Sequence, residues 1–192
     1  MIDAREAGPL EGAAAGLPDV VALPGDVSDP DHRRALVEAA GGRIDLLVNN
    51  ASLLGPSPQP ALADYPLDVL EDVYRVNVLA PLALFQLALP SVLINVTSDA
   101  AVEPYEGWGG YGSSKAALEQ LTAILAAEQP ERRIYAIDPG DMNTRLHPEA
   151  FPDEDISDRA DPEERVPALL ALIEGELPSG RYSAGALLEA RA

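Results

Sequence analysis

Apolar residues along the chain fall into short continuous runs that are separated by polar and Gly/Pro-bearing segments. Four of these runs have the length and the β-branched or apolar content of strands, at residues 20–23, 44–48, 92–96 and 134–137. Runs that are apolar at nearly every position are typical of parallel strands buried on both faces. The pattern therefore predicts a parallel sheet covered on both sides.

Segments between these runs carry apolar residues at helical spacing. Helices are predicted over residues 31–40, 67–89, 111–128 and 166–174, with Pro81 as a break or kink in the second. Strands that alternate with helices indicate an α/β fold with a doubly wound parallel sheet. The 192 residues show no internal repeat and no linker, so we predict one domain over residues 1–192.

The chain is strongly acidic, since 32 Asp and Glu residues against 13 Lys and Arg residues give a net charge of -19. Hydrophobic residues make up 47% of the chain, so this acidity belongs to the surface of a folded domain. Such a surface repels phosphate backbones and anionic lipid headgroups, and neither nucleic acid nor a membrane surface is expected as a partner. Without cysteine, a signal peptide or a membrane-spanning run, a cytoplasmic protein is predicted.

Residues 146–167 form an acidic, proline-bearing excursion before the last predicted helix. A segment of this kind is usually a lid or a solvated loop. Its carboxylates could bind a cation weakly, but no metal site is predicted, because His32 and His147 are alone and distant in sequence. A hydrolase is also disfavoured, since the sequence contains no G-x-S-x-G motif.

Candidate chemistry follows the predicted strands, because sites in open α/β sheets lie at the carboxyl ends of the strands. Tyr111 and Lys115 begin the helix that follows the 92–96 strand, and their spacing of one helical turn places them on one face. An ammonium group near a phenol lowers the pKa of the phenol and makes tyrosine a usable general acid/base. The hydroxyl of Ser98 would then hold the reacting oxygen.

Lys115 is the only lysine among the 13 basic residues, and the other 12 are arginine. A tyrosine and a lysine four residues apart are common on ordinary helices, so the pair alone does not identify a site. A lysine used once, one turn after a tyrosine, favours a role that arginine fills poorly, that of a compact ammonium beside a tunable group.

Taken in order, these motifs resemble the short-chain dehydrogenase/reductase family over nearly the whole chain. Ser98 precedes Tyr111 by 13 residues, a spacing typical of the family. The segments that carry the resemblance are Gly25-Asp26-Val27, Asn49-Asn50-Ala51, Asn77, Ser98, Tyr111-Gly112-Ser113-Ser114-Lys115, Pro139-Gly140 and Thr144. The resemblance implies a Rossmann-like sheet and hydride transfer between a nicotinamide cofactor and a carbonyl or alcohol carbon.

The resemblance also implies roles for individual residues. Tyr111 would exchange a proton with the substrate oxygen, and Ser98 would hydrogen-bond that oxygen. Lys115 would depress the Tyr111 pKa and grip the nicotinamide ribose, and Asn77 would hold a water in the proton relay. The cofactor would be bound by Asp3, Asp26, Val27, Asn49, Ala51, Lys115, Pro139, Gly140 and Thr144. An acid at Asp3 favours NAD over NADP, and a homodimer or homotetramer formed through the helices around Asn77 and Tyr111 is expected.

The sequence departs from the family where the cofactor pyrophosphate should bind. The initial strand and its turn of the form Thr-Gly-x-x-x-Gly-x-Gly are absent, and the join at Pro90-Ser91 is short. Residues 107–112 satisfy G-x-G-x-x-G but come too late after their strand, and we interpret them as a flexible loop leading to Tyr111. Ser52 replaces the glycine usual after Asn-Asn-Ala, which would narrow the cleft slightly.

Two hypotheses account for the departures. Either part of a longer polypeptide is omitted, which would leave a gap between the strand ending near Asp3 and the one ending at Asn49. Alternatively, the chain is a pseudo-enzyme that has lost its dinucleotide site and acts as a binding or oligomerising module. The substrate is not readable from the sequence.

Overall fold

The computed structural model describes residues 1–144, 146–150, 155 and 158–190. Strands and helices alternate along this part of the chain. The strands are β1 (Ile2–Ala4), β2 (Ala22–Pro24), β3 (Leu46–Asn49), β4 (Val92–Val96), β5 (Arg133–Asp138) and β6 (Gly180–Ser183). The helices are α1 (Ala7–Ala14), α2 (Pro30–Ala39), α3 (Leu67–Tyr74), α4 (Ala80–Ala88), α5 (Gly109–Glu128), α6 (Leu146–Ala150), α7 (Val166–Glu174) and α8 (Ala184–Glu189).

Every strand pair is parallel, as predicted, and the strands form two groups. β1 pairs with β2, and the order β3-β4-β5-β6 makes a four-stranded sheet. Within the described ranges no ladder joins β1 to β3. The division of the array therefore falls between the strand that carries Asp3 and the strand that ends at Asn49.

Helices cover both faces of the four-stranded sheet, which confirms the α/β doubly wound architecture. On one face, Ile94 and Tyr135 pack in a cluster with Leu172 of α7 and with α8. On the other face, Leu93 and Ile134 pack against α4 and α5. Two-sided burial explains why the central strands β4 and β5 are nearly uninterrupted apolar runs.

The prediction of two-sided burial is wrong for β3. Val48 remains 37% exposed, although it belongs to the apolar run at residues 44–48. Within the described chain β3 pairs only with β4, so its other edge carries no neighbouring strand and no side chains from one. The apolar run at residues 44–48 therefore corresponds to a strand that has a neighbouring strand at one edge only in the described chain.

The predicted helix over residues 67–89 is interrupted earlier than proline suggests. α3 ends at Tyr74, a π-helical turn spans Arg75–Leu79, and α4 follows directly. Pro81 lies in the first turn of α4, where a helix does not need its backbone N–H. The change in helical geometry is thus centred on Asn77, and π-turns of this kind recur at functional sites.

The acidic excursion begins with the short helix α6 and ends in a 3₁₀ turn at Pro162–Arg165, before α7 at its predicted bounds. The lid interpretation depends on residues 151–154 and 156–157, which lie outside the described residues, and it stays a prediction. Along the described chain no helix combines the length and the apolar character needed to cross a membrane.

Candidate active site

A cleft of about 730 Å³ opens at the carboxyl ends of β3, β4 and β5. The first turns of α5 form one wall, so Tyr111 and Lys115 reach the cleft from the same helix. Ser98, directly after Thr97 at the end of β4, lines it from the sheet side. The three residues predicted to carry the chemistry therefore lie in one cleft.

Lys115 is almost completely buried, with 2% of its surface exposed. Its Nζ donates a hydrogen bond of 2.8 Å to the carbonyl oxygen of Val96 and lies 5.4 Å from the centroid of the Tyr111 ring. The ammonium group is thus placed over the ring face and tied to β4. A side chain held this way has one geometry rather than the many open to a surface lysine.

Tyr111 departs from the expectation that its pKa would be depressed. Burial raises the pKa of Tyr111 to about 12, and hydrogen bonds with Ser52 and Ser98 oppose this rise while the charges of Asp99 and Asp138 add to it. The prediction that the pKa of Tyr111 lies below its usual value is therefore wrong. Burial and the two carboxylates outweigh every group that stabilises the phenolate.

Burial acts on the neighbouring lysine in the opposite direction. It lowers the pKa of Lys115 from 10.5 to about 8, because a charged ammonium loses its hydration in the interior. Lys115 consequently titrates much closer to neutral pH than an ordinary lysine. Its charge, and hence its action on Tyr111 and on any bound group, becomes pH-dependent in this range.

The stability of a Lys115→Met variant should reveal the cost of this buried charge. The difference between a pKa of 10.5 in the unfolded chain and about 8 in the folded protein corresponds to about 3 kcal/mol. The parent binds fewer protons than its unfolded chain between these values, so its stability is highest above the unfolded pKa and falls as the pH drops through about 8.

Urea unfolding of parent and variant at several pH values measures the effect. We expect the stability of the variant relative to the parent to increase by up to about 3 kcal/mol as the pH falls from above 10.5 to below 8. Loss of the hydrogen bond to Val96 adds an offset that does not depend on pH. A difference that stays constant across this range would contradict a buried, titrating Lys115.

Ser98 presents its hydroxyl at the start of the loop after β4. Its Oγ donates to Asp99 Oδ1 at 2.8 Å and accepts the backbone N–H of Ala100 at 3.2 Å. The contact with Ala100 begins a 3₁₀ turn at Asp99–Ala101, which holds the serine in place. Ser98 and Tyr111 can therefore approach the same substrate oxygen.

Asn77 is fully buried in the π-turn, and its carboxamide is bonded to protein groups. Its Oδ1 accepts the backbone N–H of Leu53 at 2.7 Å and the hydroxyl of Ser52 at 3.3 Å. Its Nδ2 donates to the carbonyl oxygen of Leu53 and to Ser114 Oγ, both at 2.9 Å. The side chain fastens the loop after β3 to α5, and a role in holding water stays a prediction.

Several residues predicted to bind the cofactor line the cleft. Ala51 lies on the loop after β3, and the segment after β5 contributes Pro139, Gly140 and Thr144. Gly140 has a positive φ of 72°, and no atom lies within 4 Å of where a Cβ would be. The glycine leaves the floor of the cleft open at this point.

Asn49 does not line this cleft, contrary to the prediction. Its Nδ2 donates to Asn95 Oδ1 on β4 at 2.8 Å, and Asn95 Nδ2 donates to Thr122 Oγ1 on α5 at 2.8 Å. Asn49 ends β3 with its side chain directed into this polar chain, and the next residue, Asn50, takes its place on the cleft wall. Because β3 extends through Asn49, this residue stays within the sheet and does not reach the cleft.

The remaining predicted cofactor residues lie in β1 or shortly after β2 and do not line the cleft around Tyr111. Asp3 Oδ2 lies 3.4 Å from His32 Nε2. Asp26 accepts the backbone N–H of Ser28 at 2.7 Å, and although burial opposes the change, this contact leaves the pKa of Asp26 below its usual value. Val27 packs in an apolar cluster with Val76. Arg5, directly after β1, does reach the lining of the cleft.

Residues 107–112 are not a loop throughout, because α5 already begins at Gly109. The glycines of this segment are explained by close packing at the start of the helix. A Cβ at Gly110 would lie 2.3 Å from the Tyr65 ring, and one at Gly112 would lie 2.7 Å from the carbonyl oxygen of Ala100. The spacing that matches a dinucleotide motif therefore lets α5 approach its neighbours and brings Tyr111 to the cleft.

Sequence reasoning missed two groups of the site. Trp108 lies edge-on to Tyr111 with ring centroids 5.6 Å apart and belongs to an apolar wall with Leu54. Arg181 of β6 contacts Asp138 at 3.3 Å and Glu119 at 2.9 Å, and these contacts join β6 to the end of β5 and to α5. The tryptophan, the only one in the chain, was a usable signal; the arginine was not, because no strand was predicted near it.

The donor set fits the nicotinamide half of a dinucleotide. A buried ammonium, two serine hydroxyls and a phenol converge in the cleft, which is also lined by Gly140, where no atom lies near a Cβ position. Such convergence of polar groups in a concave site is typical of small-molecule binding. Within the described ranges no cluster of three or more His, Cys, Asp or Glu side chains is placed to bind a metal ion.

Comparison with known proteins identifies the family. The sequence model of the short chain dehydrogenases matches residues 2–155. Benzil reductase ((S)-benzoin forming) of Saccharomyces cerevisiae is 31% identical over 76% of this chain and 59% of its own length. The Bacillus subtilis benzil reductase is 34% identical over 52% of this chain and 45% of its own length. The chain spans about half the length of these curated relatives.

A solved structure gives the same result. A short chain dehydrogenase from Shigella flexneri 2a, complexed with NADP, superposes with a TM-score of 0.85 at 25% identity and covers 95% of this chain and 84% of its own. The fold and the site thus define a Rossmann-like α/β class of protein. The chain belongs to the short-chain dehydrogenase/reductase family.

Proposed function

We propose that the protein is an NAD(P)-dependent oxidoreductase that interconverts a carbonyl compound and the corresponding alcohol. One observation carries this proposal: Ser98, Tyr111 and Lys115 line the same cleft, and the ring of Tyr111 lies beneath a buried ammonium. Family membership supports the same activity. The nicotinamide group, when bound, supplies or accepts the hydride.

The protein's own residues would manage the proton. In the reductive direction Tyr111 gives its hydroxyl proton to the substrate oxygen as the carbonyl becomes an alcohol, and in the oxidative direction it takes that proton back. The Ser98 hydroxyl turns its proton from Asp99 Oδ1 to the same oxygen and orients it. Lys115 stabilises the phenolate that remains and offers its ammonium to the ribose hydroxyls of the cofactor.

The acid at Asp3 led us to expect NAD as the cofactor, but NADP is now the cofactor that we propose. The Shigella flexneri relative is complexed with NADP, and a relative from Escherichia coli is complexed with NADPH. In this chain Asp3 lies against His32, whereas Arg5 is exposed and reaches the cleft lining. A guanidinium group suits a 2′-phosphate, and a carboxylate held by another residue is a poorer partner for a free ribose.

Replacing Arg5 with alanine should therefore weaken binding of NADPH about tenfold, the loss of one charge-assisted contact, and leave NADH binding nearly unchanged. Isothermal titration with both cofactors measures this selectivity. Arg34→Ala is the matched control, because Arg34 is exposed and paired with Asp31 on α2. Equal weakening for both cofactors would contradict a role for Arg5 at the 2′-phosphate.

The cleft also favours a class of substrate. Trp108 and Leu54 provide an apolar wall beside Tyr111, which suits an aromatic or aliphatic carbonyl compound. Acidic side chains outnumber basic ones on the lining and disfavour anionic substrates; they are Asp99, Glu106, Asp138, Asp141 and Glu149. Consumption of NADPH with neutral diketones but not with keto acids is the expected result. Cofactor binding without turnover of any carbonyl compound would favour the non-catalytic alternative.

A further inference from the structure

Arg181 lies on β6, and its side chain reaches the ends of β4 and β5, where the main-chain ladder between those two strands stops. The last bond of this ladder runs from the backbone N–H of Thr97 to the carbonyl oxygen of Ile137 at 2.8 Å. One residue further along each strand, Ser98 and Asp138 line the cleft. Side-chain contacts can therefore determine how the two segments lie relative to each other.

The guanidinium group of Arg181 is connected in two ways to the segment that carries Ser98. Its Nη2 donates to the carbonyl oxygen of Ser98 at 3.4 Å, and this oxygen also accepts the backbone N–H of Ala101 at 3.1 Å. Its Nε donates to Glu119 Oε1 at 2.9 Å, and the same carboxylate oxygen accepts the hydroxyl of Thr97 at 2.7 Å. Ser98 and the residue before it are thus both linked to one side chain.

The same guanidinium group contacts the segment after β5. Its Nη2 donates to Asp138 Oδ2 at 3.3 Å, and the other carboxylate oxygen of Asp138 accepts the backbone N–H of Gly140 at 2.9 Å. Gly140 lines the cleft with a positive φ of 72°. Arg181 is therefore connected to two segments of the cleft wall, directly at Ser98 and through Asp138 at Gly140.

Charge and partial burial distinguish these contacts from ordinary surface pairs. The side chains of Glu119 and Asp138 are only 15% and 13% exposed, and that of Arg181 is 34% exposed. Hydrogen bonds between charged groups are about twice as strong as those between neutral ones. The planar guanidinium group carries five N–H donors in a fixed arrangement, so it can bond two carboxylates and a carbonyl oxygen at once.

We propose that Arg181 is a positioning residue, which holds the segments after β4 and β5 in the relative position that the reaction requires. It acts on Ser98 directly and on Gly140 through Asp138, and it does not itself line the cleft. The proposal rests on the proposed function, in which Ser98 orients the substrate oxygen. A misplacement of about 1 Å at such a group can lower a rate by about a hundredfold.

Kinetics of the full chain test the proposal with an Arg181→Ala variant. We expect kcat for NADPH oxidation with a neutral diketone to fall about tenfold to a hundredfold. Arg181 also lines a second cavity of about 340 Å³, so the shortened side chain leaves a space that a small cation can enter. Added ethylguanidinium should restore much of kcat, whereas ethylammonium, which has the same charge but lacks the planar set of donors, should not.

Two further variants separate positioning from general stabilisation. Arg181→Lys keeps the charge but can make fewer of the contacts, so its kcat should lie between those of the parent and Arg181→Ala. Arg133→Ala is the matched control, because Arg133 begins β5 and bonds the carbonyl oxygens of Leu172 and Gly175, outside the cleft lining. It should keep the parent kcat and show no response to ethylguanidinium. Equal losses of kcat in Arg133→Ala and Arg181→Ala would contradict the proposal.

Amide hydrogen exchange gives a readout that does not depend on turnover. In Arg181→Ala the backbone N–H groups of Ala101 and Gly140 should exchange faster, because the groups that accept them lose their contact with the guanidinium group. Ethylguanidinium should slow this exchange again. Unchanged exchange at both segments would overturn the proposal. Activity that survives Tyr111→Phe would instead overturn the proposed function, and the exchange result would still decide whether Arg181 holds the two segments.

Discussion

Replacing Tyr111 with phenylalanine is expected to lower kcat by about two to four orders of magnitude, the range that a positioned general acid/base contributes. Phenylalanine keeps the buried ring and its edge-on contact with Trp108, so the wall of the cleft should remain intact. The hydroxyl alone is lost, and with it the proton that the substrate oxygen needs. Cofactor affinity should change little, because the ammonium of Lys115 remains bonded to Val96.

Steady-state kinetics and cofactor titration on the same preparations separate these two effects. Tyr182→Phe is the matched control, since Tyr182 lies on β6 outside the cleft lining and its hydroxyl donates to the carbonyl oxygen of Pro178. A Tyr111→Phe variant that retains more than about a tenth of the parent kcat would be inconsistent with a general acid/base role. Equal losses in both variants would point to a change in fold rather than in chemistry.

Lys115→Arg should also damage turnover, although it preserves the positive charge. Only 2% of Lys115 is exposed, and its Nζ is fitted between the Val96 carbonyl and the Tyr111 ring. A guanidinium group is larger and planar, and forcing extra volume into a packed interior costs about 1–3 kcal/mol. The same free energy added to the activation barrier corresponds to a loss in kcat/KM of about fivefold to more than a hundredfold.

Thermal melts distinguish a damaged site from a damaged fold in this experiment. The reverse substitution Arg43→Lys is a control for the exchange of basic groups, because Arg43 is exposed and pairs with Asp45 at the surface. If Lys115→Arg is folded and as active as the parent, the inference from the single lysine in the sequence fails. Folded protein with reduced kcat/KM is the result we expect.

Elements in the middle of the sheet could be predicted closely from the sequence. β4 and α7 have the predicted bounds, because their apolar positions are dictated by burial on both faces of one strand and on one face of one helix. β6 and α8 were missed. β6 reads Gly-Arg-Tyr-Ser and carries no apolar alternation, since its place in the sheet comes from its register with β5 rather than from its own composition.

The site shows the same limit. Tyr111, Lys115 and Ser98 were predictable because helix periodicity and strand ends place them without knowledge of distant contacts. The direction of the Tyr111 pKa was not, because it depends on burial and on the carboxylates of Asp99 and Asp138, which only the folded chain brings near. Asn49 was misplaced for a similar reason, since its partner Asn95 lies 46 residues away.

The asparagine pair between β3 and β4 has a consequence for the alignment of the strands. Asn49 and Asn95 are register partners in the ladder and are joined through their side chains. A slip of β3 by one residue would move the Asn49 carboxamide to the other face and leave Asn95 without its donor. The pair therefore fixes the register of β3 against β4. This register determines where the loop that carries Ser52 begins relative to the end of β4, which leads to Ser98.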